Sequence, residues 1–376
     1  MNTHKLWADT LPERLAKLKP GTTRLAYLAP RPEYGTFRYR CFNPVDAING
    51  NSVKLSASYF FYSDLEIVED LSDYADVLVV SRCPWDAPLD RLFRRFRNKG
   101  KRIYFDIDDL IFDANFATTV SSALGNAVQD VEFNRWTAFI SNIGRALSAS
   151  DEVITTNSFL AERITDFVSL PVHIVPNSYN RHQELRSEEV LEAKPTNSSG
   201  IHIGYFSGSQ SHSRDFAVVS HHLYQFLNES PTSRLTVVGH LEMPTSFERF
   251  GERVIRKPFV DFLDMQSIVG AVDLNIVPLQ DNPFTWSKSE LKYFEAALVE
   301  TPTLASVTPV FSDAIKPGKT GFLAHSTEWR ERFHEIEALG SEARRSIGAA
   351  ARDLVRAVYS PQQLLIQVEN IFGKQN

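Results

Sequence analysis

A chain of 376 residues has room for two domains of about 150–200 residues each. Its 43% apolar and 23% charged residues are ordinary for a soluble globular protein, and a net charge of -6 argues against general nucleic-acid binding. Only Cys41 and Cys83 are present, which excludes a disulfide framework and points to a reducing compartment. No apolar run approaches the roughly 18–20 residues of a membrane span, and the first residues lack an apolar signal core, so a cytoplasmic location is expected. The basic run from Arg91 to Lys99, with Lys101 and Arg102 beyond it, is either a solvated helix face or a peripheral contact with the inner face of a membrane.

Short apolar runs alternate with helical patterns along the whole length, the signature of α/β architecture with parallel sheets. A first strand is expected over Arg24 to Leu28, followed directly by PRPEYGTFRYRCFN, residues 30–43. Ligands of open α/β sheets gather at the carboxyl ends of strands. Gly35 would let the backbone approach a ligand closely, and Arg38 and Arg40 would reach phosphates. An ordinary turn is the alternative, and no G-x-G-x-x-G dinucleotide fingerprint is present. Further strands are expected over Val77 to Val80 and Arg102 to Phe105, with a helix from Asp86 to Asn98 between them. Asp106, Asp108 and Asp109 follow at once; three acids in four residues offer oxygen ligands to a divalent metal or cap a helix. A helix from Ala127 to Leu147 leads to strands over Glu152 to Thr155 and His173 to Val175. Asn157 and Asn177 follow those strands and fit turns or caps.

Residues 178–200 lose apolar periodicity and gain charge and turn formers, which places an interdomain linker at 181–200. It separates an N-terminal domain, 1–180, from a second domain, 201–355, and a final helical segment, 356–376. The strand pattern restarts with His202 to Phe206, and the next loop offers Ser207, Gly208, the histidine at 212 and Arg214, whose guanidinium is a fixed fork for phosphate. Strands over Arg234 to Val238 and Arg253 to Ile255 follow. Beyond them stand Phe259, an aromatic face for a ring, and Asp261, a cap for a helix from Asp261 to Val269. After a strand at Leu274 to Pro278, Ser287-x-x-Glu290 reads as a capping box. It opens a helix in which Leu291, Phe294 and Leu298 face a core while Lys288, Lys292 and Glu295 form a neighbouring stripe. A helix N-terminus flanked by lysines suits an anion such as a diphosphate; the alternative is a surface helix with a charged flank. Pro302 ends the helix, Thr303 to Ser306 reads as a buried strand, and the chain beyond Trp329 is helical, ending in Pro361 to Phe372.

The run KSELKYFEAAL (288–298) with Thr301-Pro302, then Pro309-Val310-Phe311, Ala314-Ile315 and GKTGFLA (318–324), resembles the C-terminal half of the glycosyl transferases group one. The likeness extends over residues 24–372 and is closest to a family 4-like subgroup that builds surface polysaccharide. It implies the GT-B fold: two facing Rossmann-like domains with parallel sheets, and a C-terminal helix crossing back onto the first. It implies a nucleoside-diphosphate-sugar donor, a glycan or lipid-linked acceptor, a retaining reaction, and neither metal nor other cofactor. In that family a Glu-x7-Glu motif occupies this helix, and its second glutamate grips the donor's ribose. Glu295 matches that position, but the first falls on Ser287, a departure from the pattern.

By the same resemblance Gly35, Thr36, Ser207, Gly208, Arg214, Phe259, Ser289, Glu290, Leu291, Lys292 and Glu295 would contact the donor. Arg38, Asp108 and Asp109 would lie on the acceptor side, and Asp106, Arg214, Lys288 and Glu295 would serve the reaction. Two other readings stand beside this one. A catalytically silent nucleotide-sugar or glycan-binding subunit would share the fold. A metal-dependent GT-A enzyme would use Asp106-x-Asp108.

Overall fold

Among the described residues twelve strands form two separate six-stranded sheets, parallel throughout, as the alternating pattern requires. The structure is a computed structural model and describes residues 6–33, 35–67, 70–125, 130–193, 200–207 and 213–373. The first sheet holds β1 (Thr23–Ala29), β2 (Leu55–Phe61), β3 (Val77–Ser81), β4 (Arg102–Ile107), β5 (Glu152–Thr155) and β6 (Val172–Ile174), in the order β2-β1-β3-β4-β5-β6. Around it lie α1 (Leu11–Ala16), α2 (Asn43–Asn51), α3 (Ala87–Asn98), α4 (Ala117–Ala123), α5 (Asp130–Ser148) and α6 (Ser158–Phe167). A π-helical turn, Arg38–Phe42, runs straight into α2. It places consecutive side chains 38–42 in the interior, where an ordinary surface helix would turn some of them to water.

The stretch read as a linker is helical, α7 (Arg181–Glu192), and leads into the second sheet. That sheet comprises β7 (His202–Ser207), β8 (Arg234–Gly239), β9 (Val254–Lys257), β10 (Leu274–Val277), β11 (Thr303–Ser306) and β12 (Phe322–Ala324), ordered β12-β11-β10-β7-β8-β9. Its helices are α8 (Ser213–Glu229), α9 (Phe262–Gly270), α10 (Pro283–Trp286), α11 (Leu291–Leu298), α12 (Pro309–Ala314), α13 (Trp329–Ala338) and α14 (Gly340–Val358). The last helix, α15 (Pro361–Phe372), leaves this lobe and packs on α2 of the first. Leu364, Val368 and Phe372 join the first lobe's core, and Ser52 donates to Glu369 at 2.6 Å.

Apolar burial couples the lobes at two further points. Phe262 and Leu263, at the start of α9, belong to the first lobe's core, as does Phe284 of α10. Each buried aromatic contributes on the order of 2–3 kcal/mol, so the lobes are joined by packing as well as by chain. One glycine is fixed by close approach: Gly239 has φ +94°, and a Cβ there would sit 1.9 Å from the carbonyl oxygen of Ser207.

Among the described residues no helix is long and apolar enough to cross a membrane. Much of the basic run is internally paired. Arg94 meets Asp90, Lys99 meets Asp70 and Asp73, Lys101 meets Asp76, and Arg102 meets Glu152. Its net field is therefore smaller than the sequence implies.

Candidate active site

The expected capping box does not form, and the reason reveals the site. Ser287 closes the short helix α10, giving its hydroxyl to the Phe284 carbonyl at 2.7 Å, so α11 starts only at Leu291 with Glu290 at its cap position. Ser287 is 0% exposed. Its hydroxyl also accepts from the Leu110 amide at 3.3 Å, and its carbonyl accepts from Asn157 Nδ2 at 3.0 Å. Asn177 Nδ2 donates to Ser289 Oγ at 2.9 Å. Residues that end strands of the first sheet thus hold the approach to α11 of the second. Asn157 also caps α6, accepting from the Leu160 amide at 2.9 Å, so its expected turn role and an interlobe role coincide. A carboxylate at position 287 would be buried in this seam.

From that anchored start α11 turns Tyr293, Phe294, Ala297 and Leu298 into the core and presents Lys292 and Glu295, one turn apart, on the interlobe side. Three donors converge on a single oxygen of Glu295. Arg38 Nη2 lies at 3.0 Å, the Tyr39 hydroxyl at 2.5 Å and Gln183 Nε2 at 3.2 Å, all on Oε1. Oε2 accepts from none of the described residues, while the side chain keeps 19% of its exposure. Arg38 is sandwiched between the rings of Tyr39 and Phe262, with Cζ 4.1 and 4.3 Å from their centroids. Burial pushes the Tyr39 hydroxyl well above its ordinary pKa, so it stays a donor. The Lys292 ammonium forms no hydrogen bond or ion pair with any described residue; its nearest aromatic neighbour is Tyr205, 5.7 Å from Nζ to ring centroid. Burial lowers its pKa, while Asp215 and Glu295 pull the other way.

A second charged cluster adjoins these residues. Asp108 and Asp109, beyond β4, are both held by Arg82, which follows β3. Thr36 Oγ1 donates to Asp108 at 3.2 Å, and Lys288 Nζ reaches Asp109 at 2.8 Å across the interlobe seam. Burial would push the Asp109 carboxyl up, but Lys288 and Arg82 outweigh it and hold it below the usual carboxylate range.

Other expected residues lie elsewhere or have other partners. Asp106 is turned into the first lobe, 3% exposed, with Oδ1 and Oδ2 gripped by Arg40 at 2.7 and 2.8 Å. Burial pushes its carboxyl up and Arg40 opposes the shift. Arg40 in turn donates to the Val175 carbonyl at 2.7 Å and to Asn177 Oδ1 at 3.1 Å, which makes it a structural strut rather than a phosphate ligand. The amides of Gly35 and Phe37 both donate to the Glu33 carboxylate, each at 2.5 Å, so an acid of the chain occupies the amides expected to meet phosphate. Arg214 Nη1 donates to the Ser122 carbonyl at 2.5 Å and so bridges to the end of α4 in the first lobe. Ser207 is buried, its hydroxyl 3.2 Å from the His240 carbonyl oxygen. Phe259 stacks on His240, with centroids 6.3 Å apart and planes within 12°, while Asp261 caps α9 through the Leu263 and Asp264 amides. Gly208 and the histidine at 212 lie outside the described residues. Glu290 is buried, and burial raises its pKa toward the neutral acid, with Tyr359 as its side-chain partner.

Arg82, Tyr39 and Gln183 were not singled out in the sequence. Arg82 was within reach, since it follows β3 as Asp108 follows β4. Gln183 lies 112 positions from its partner and carries no local signal.

No family model matches the chain, and no curated protein matches it in sequence. Solved structures do match in shape. Anabaena HepE in complex with UDP and glucose shares 13% identity at a TM-score of 0.60, covering 94% of this chain and 100% of that one. Sucrose-phosphate synthase from Thermosynechococcus elongatus shares 13% at 0.63, covering 94% and 98%. A trehalose-6-phosphate protein from E. coli bound with UDP-2-fluoro glucose shares 9% at 0.58, covering 94% and 99%. With its paired parallel sheets and returning C-terminal helix, the chain has the GT-B fold, two facing Rossmann-like domains.

Proposed function

We propose that this protein is a glycosyltransferase that moves a sugar from a nucleoside-diphosphate donor to an acceptor hydroxyl in the cleft between its lobes. One observation carries the reading: α11 presents an ammonium, Lys292, without a hydrogen-bond or ion-pair partner among the described residues, beside a carboxylate, Glu295, that takes three donors on one oxygen and, among the same residues, none on the other. Transfer builds negative charge on the leaving diphosphate while the anomeric carbon becomes oxocarbenium-like. Lys292 and the first-turn amides of α11 would meet that charge, with Lys288, held by Asp109 at 2.8 Å, close by. Glu295 Oε2 is an acceptor for ribose hydroxyls. Structures of the same fold hold UDP with glucose or UDP-2-fluoro glucose, which favours a UDP-sugar donor.

The finer expectations belong to this reading: retention of anomeric configuration, a glycan or lipid-linked acceptor, surface-polysaccharide synthesis, and work at the inner face of the membrane. So does metal independence. Asp106, Asp108 and Asp109 are each engaged by arginine or lysine, which disfavours a divalent ion among them. The GT-A alternative is set aside, because that reading requires a different fold.

The buried serine at position 287 favours a second reading, a subunit that binds donor without transferring it. One experiment separates the two: incubate the protein with UDP-, GDP- and dTDP-sugars and follow release of the nucleoside diphosphate. Release that is lost in Glu295→Ala supports the transferase. Tight binding with no release, with and without candidate saccharide acceptors, supports the silent subunit.

A further inference from the structure

Arg82 has φ +51°, the left-handed region that a long side chain avoids. Its amide donates to the Asp106 carbonyl at 3.2 Å, which extends the β3–β4 pairing one residue beyond the strand. Its guanidinium forks between Asp108 and Asp109. Backbone strain of this kind persists where surrounding contacts over-determine it, and such places cluster at functional sites.

Four charges meet here, two acids and two bases, but they are not equivalent. Among the described residues Arg82 engages both acids, whereas Lys288 engages Asp109 alone of the two, its ammonium also lying 4.2 Å from the Phe284 ring centroid. Asp108 and Asp109 keep 11% and 13% of their side-chain exposure and Arg82 keeps 22%; Lys288, at 27%, is the most open of the four. Lys288 is also the one member contributed by the second lobe, at the approach to α11. If Lys288 leaves, Asp109 still has a cation. If Arg82 is absent, Asp109 has Lys288 alone and holds it.

We propose that Arg82 is a positioning residue that neutralises Asp109 in place of Lys288, so that Lys288 is free to leave the ion pair and meet the donor's diphosphate. This deepens the proposed donor site and rests on it. Arg82 touches no donor atom; it sets how readily Lys288 moves, and the strained backbone at position 82 lets one guanidinium span both acids. Lys288 is then a cation on loan between lobes, paired with Asp109 before the nucleotide arrives and with phosphate afterwards.

The test compares the affinities of UDP and UMP by calorimetry, since their ratio isolates the second phosphate (GDP and GMP serve if the guanine nucleotide is the one bound). Arg82→Ala is expected to lower the UDP-over-UMP preference about tenfold, the worth of one charge-assisted contact. Adding Asp109→Asn to Arg82→Ala is expected to restore most of it, because the carboxylate that captures Lys288 is gone. A merely structural Arg82 would not be rescued by removing a second charged group. Arg82→Gly should match Arg82→Ala in nucleotide preference yet melt several degrees higher, since glycine adopts φ +51° without strain.

An unchanged preference in Arg82→Ala, or a loss that Asp109→Asn leaves uncorrected, overturns the proposal while the donor site stands. Absence of nucleotide binding by the wild-type protein overturns the donor site itself. Should Arg82→Ala fail to fold, Arg82→Gly carries the same comparison.

Discussion

Replacing Asp106 by alanine distinguishes a strut from a catalyst. The Asp106–Arg40 pair is almost wholly buried, with side chains 4% and 2% exposed, and is joined at two points at 2.7 and 2.8 Å. Removing one member of such a pair leaves an uncompensated buried charge and costs about 3–5 kcal/mol. Arg40 would keep only the Val175 carbonyl and Asn177 as partners, so the upper half of that range is expected. At about 2–4 °C per kcal/mol for a domain of this size, Asp106→Ala should melt roughly 8–20 °C below the wild type. The double variant Arg40→Met, Asp106→Leu, which removes both charges and keeps volume, should recover most of the loss. Differential scanning calorimetry measures both, and nucleoside-diphosphate release on the surviving folded fraction measures activity. An Asp106→Ala protein that melts like the wild type but no longer turns over donor would refute the strut and restore Asp106 to the chemistry.

Lys292→Met replaces a desolvated cation that is unpaired among the described residues by an apolar chain of similar length. It should melt at or above the wild-type temperature while its affinity for a nucleoside diphosphate falls about 10–100-fold, the worth of a charge-assisted contact to phosphate; unchanged affinity in calorimetry would remove Lys292 from the site. Glu290 gives a pH dependence. Its folded-state pKa is raised, so the stability of its protonated form is fully present below the ordinary carboxylate range and is lost as pH rises through the raised value. Melting temperatures followed over about pH 4–8 should therefore fall more steeply for the wild type than for Glu290→Gln, which cannot ionise; parallel curves would place the proton elsewhere. Phe284→Ala empties a second-lobe side chain, 3% exposed, from the first lobe's core and should cost about 3–5 kcal/mol. Limited proteolysis should then cut the seam near residues 280–290 faster, and an unchanged cleavage pattern would show that the lobes do not depend on this anchor.

The fold was legible because ten of the twelve described strands carry apolar runs bounded by turn residues, whereas β12 lies in the GKTGFLA stretch, where no strand was expected. β2 was missed: LSASYFF is fully a strand, but its serines weaken the apolar signal, and they are tolerated because the strand lies against β1 with Ser56 bonded to Lys19 and Thr22. Glu295 was singled out through resemblance, and Lys288 and Lys292 through helical spacing; the structure brings Lys292 and Glu295 onto one side of α11. The capping box does not form because Ser287 closes α10 through the Phe284 carbonyl and takes partners in the other lobe, the Leu110 amide and Asn157, rather than opening α11. The same long-range origin hid Gln183 and the Arg40–Asp106 strut. α7 looked like a linker because a helix that spans two lobes and packs on α9 has no single apolar face. Local pattern thus reports elements, while the cleft is written in pairings between residues one or two hundred positions apart.

A crystal structure of the protein soaked with UDP, or with whichever nucleoside diphosphate binds, tests the central claim most directly. The account predicts the nucleotide between the lobes, its diphosphate within hydrogen-bonding reach of the Lys292 ammonium and a ribose hydroxyl on Glu295 Oε2. A nucleotide seated elsewhere, with Lys292 and Glu295 unchanged and untouched, would contradict it.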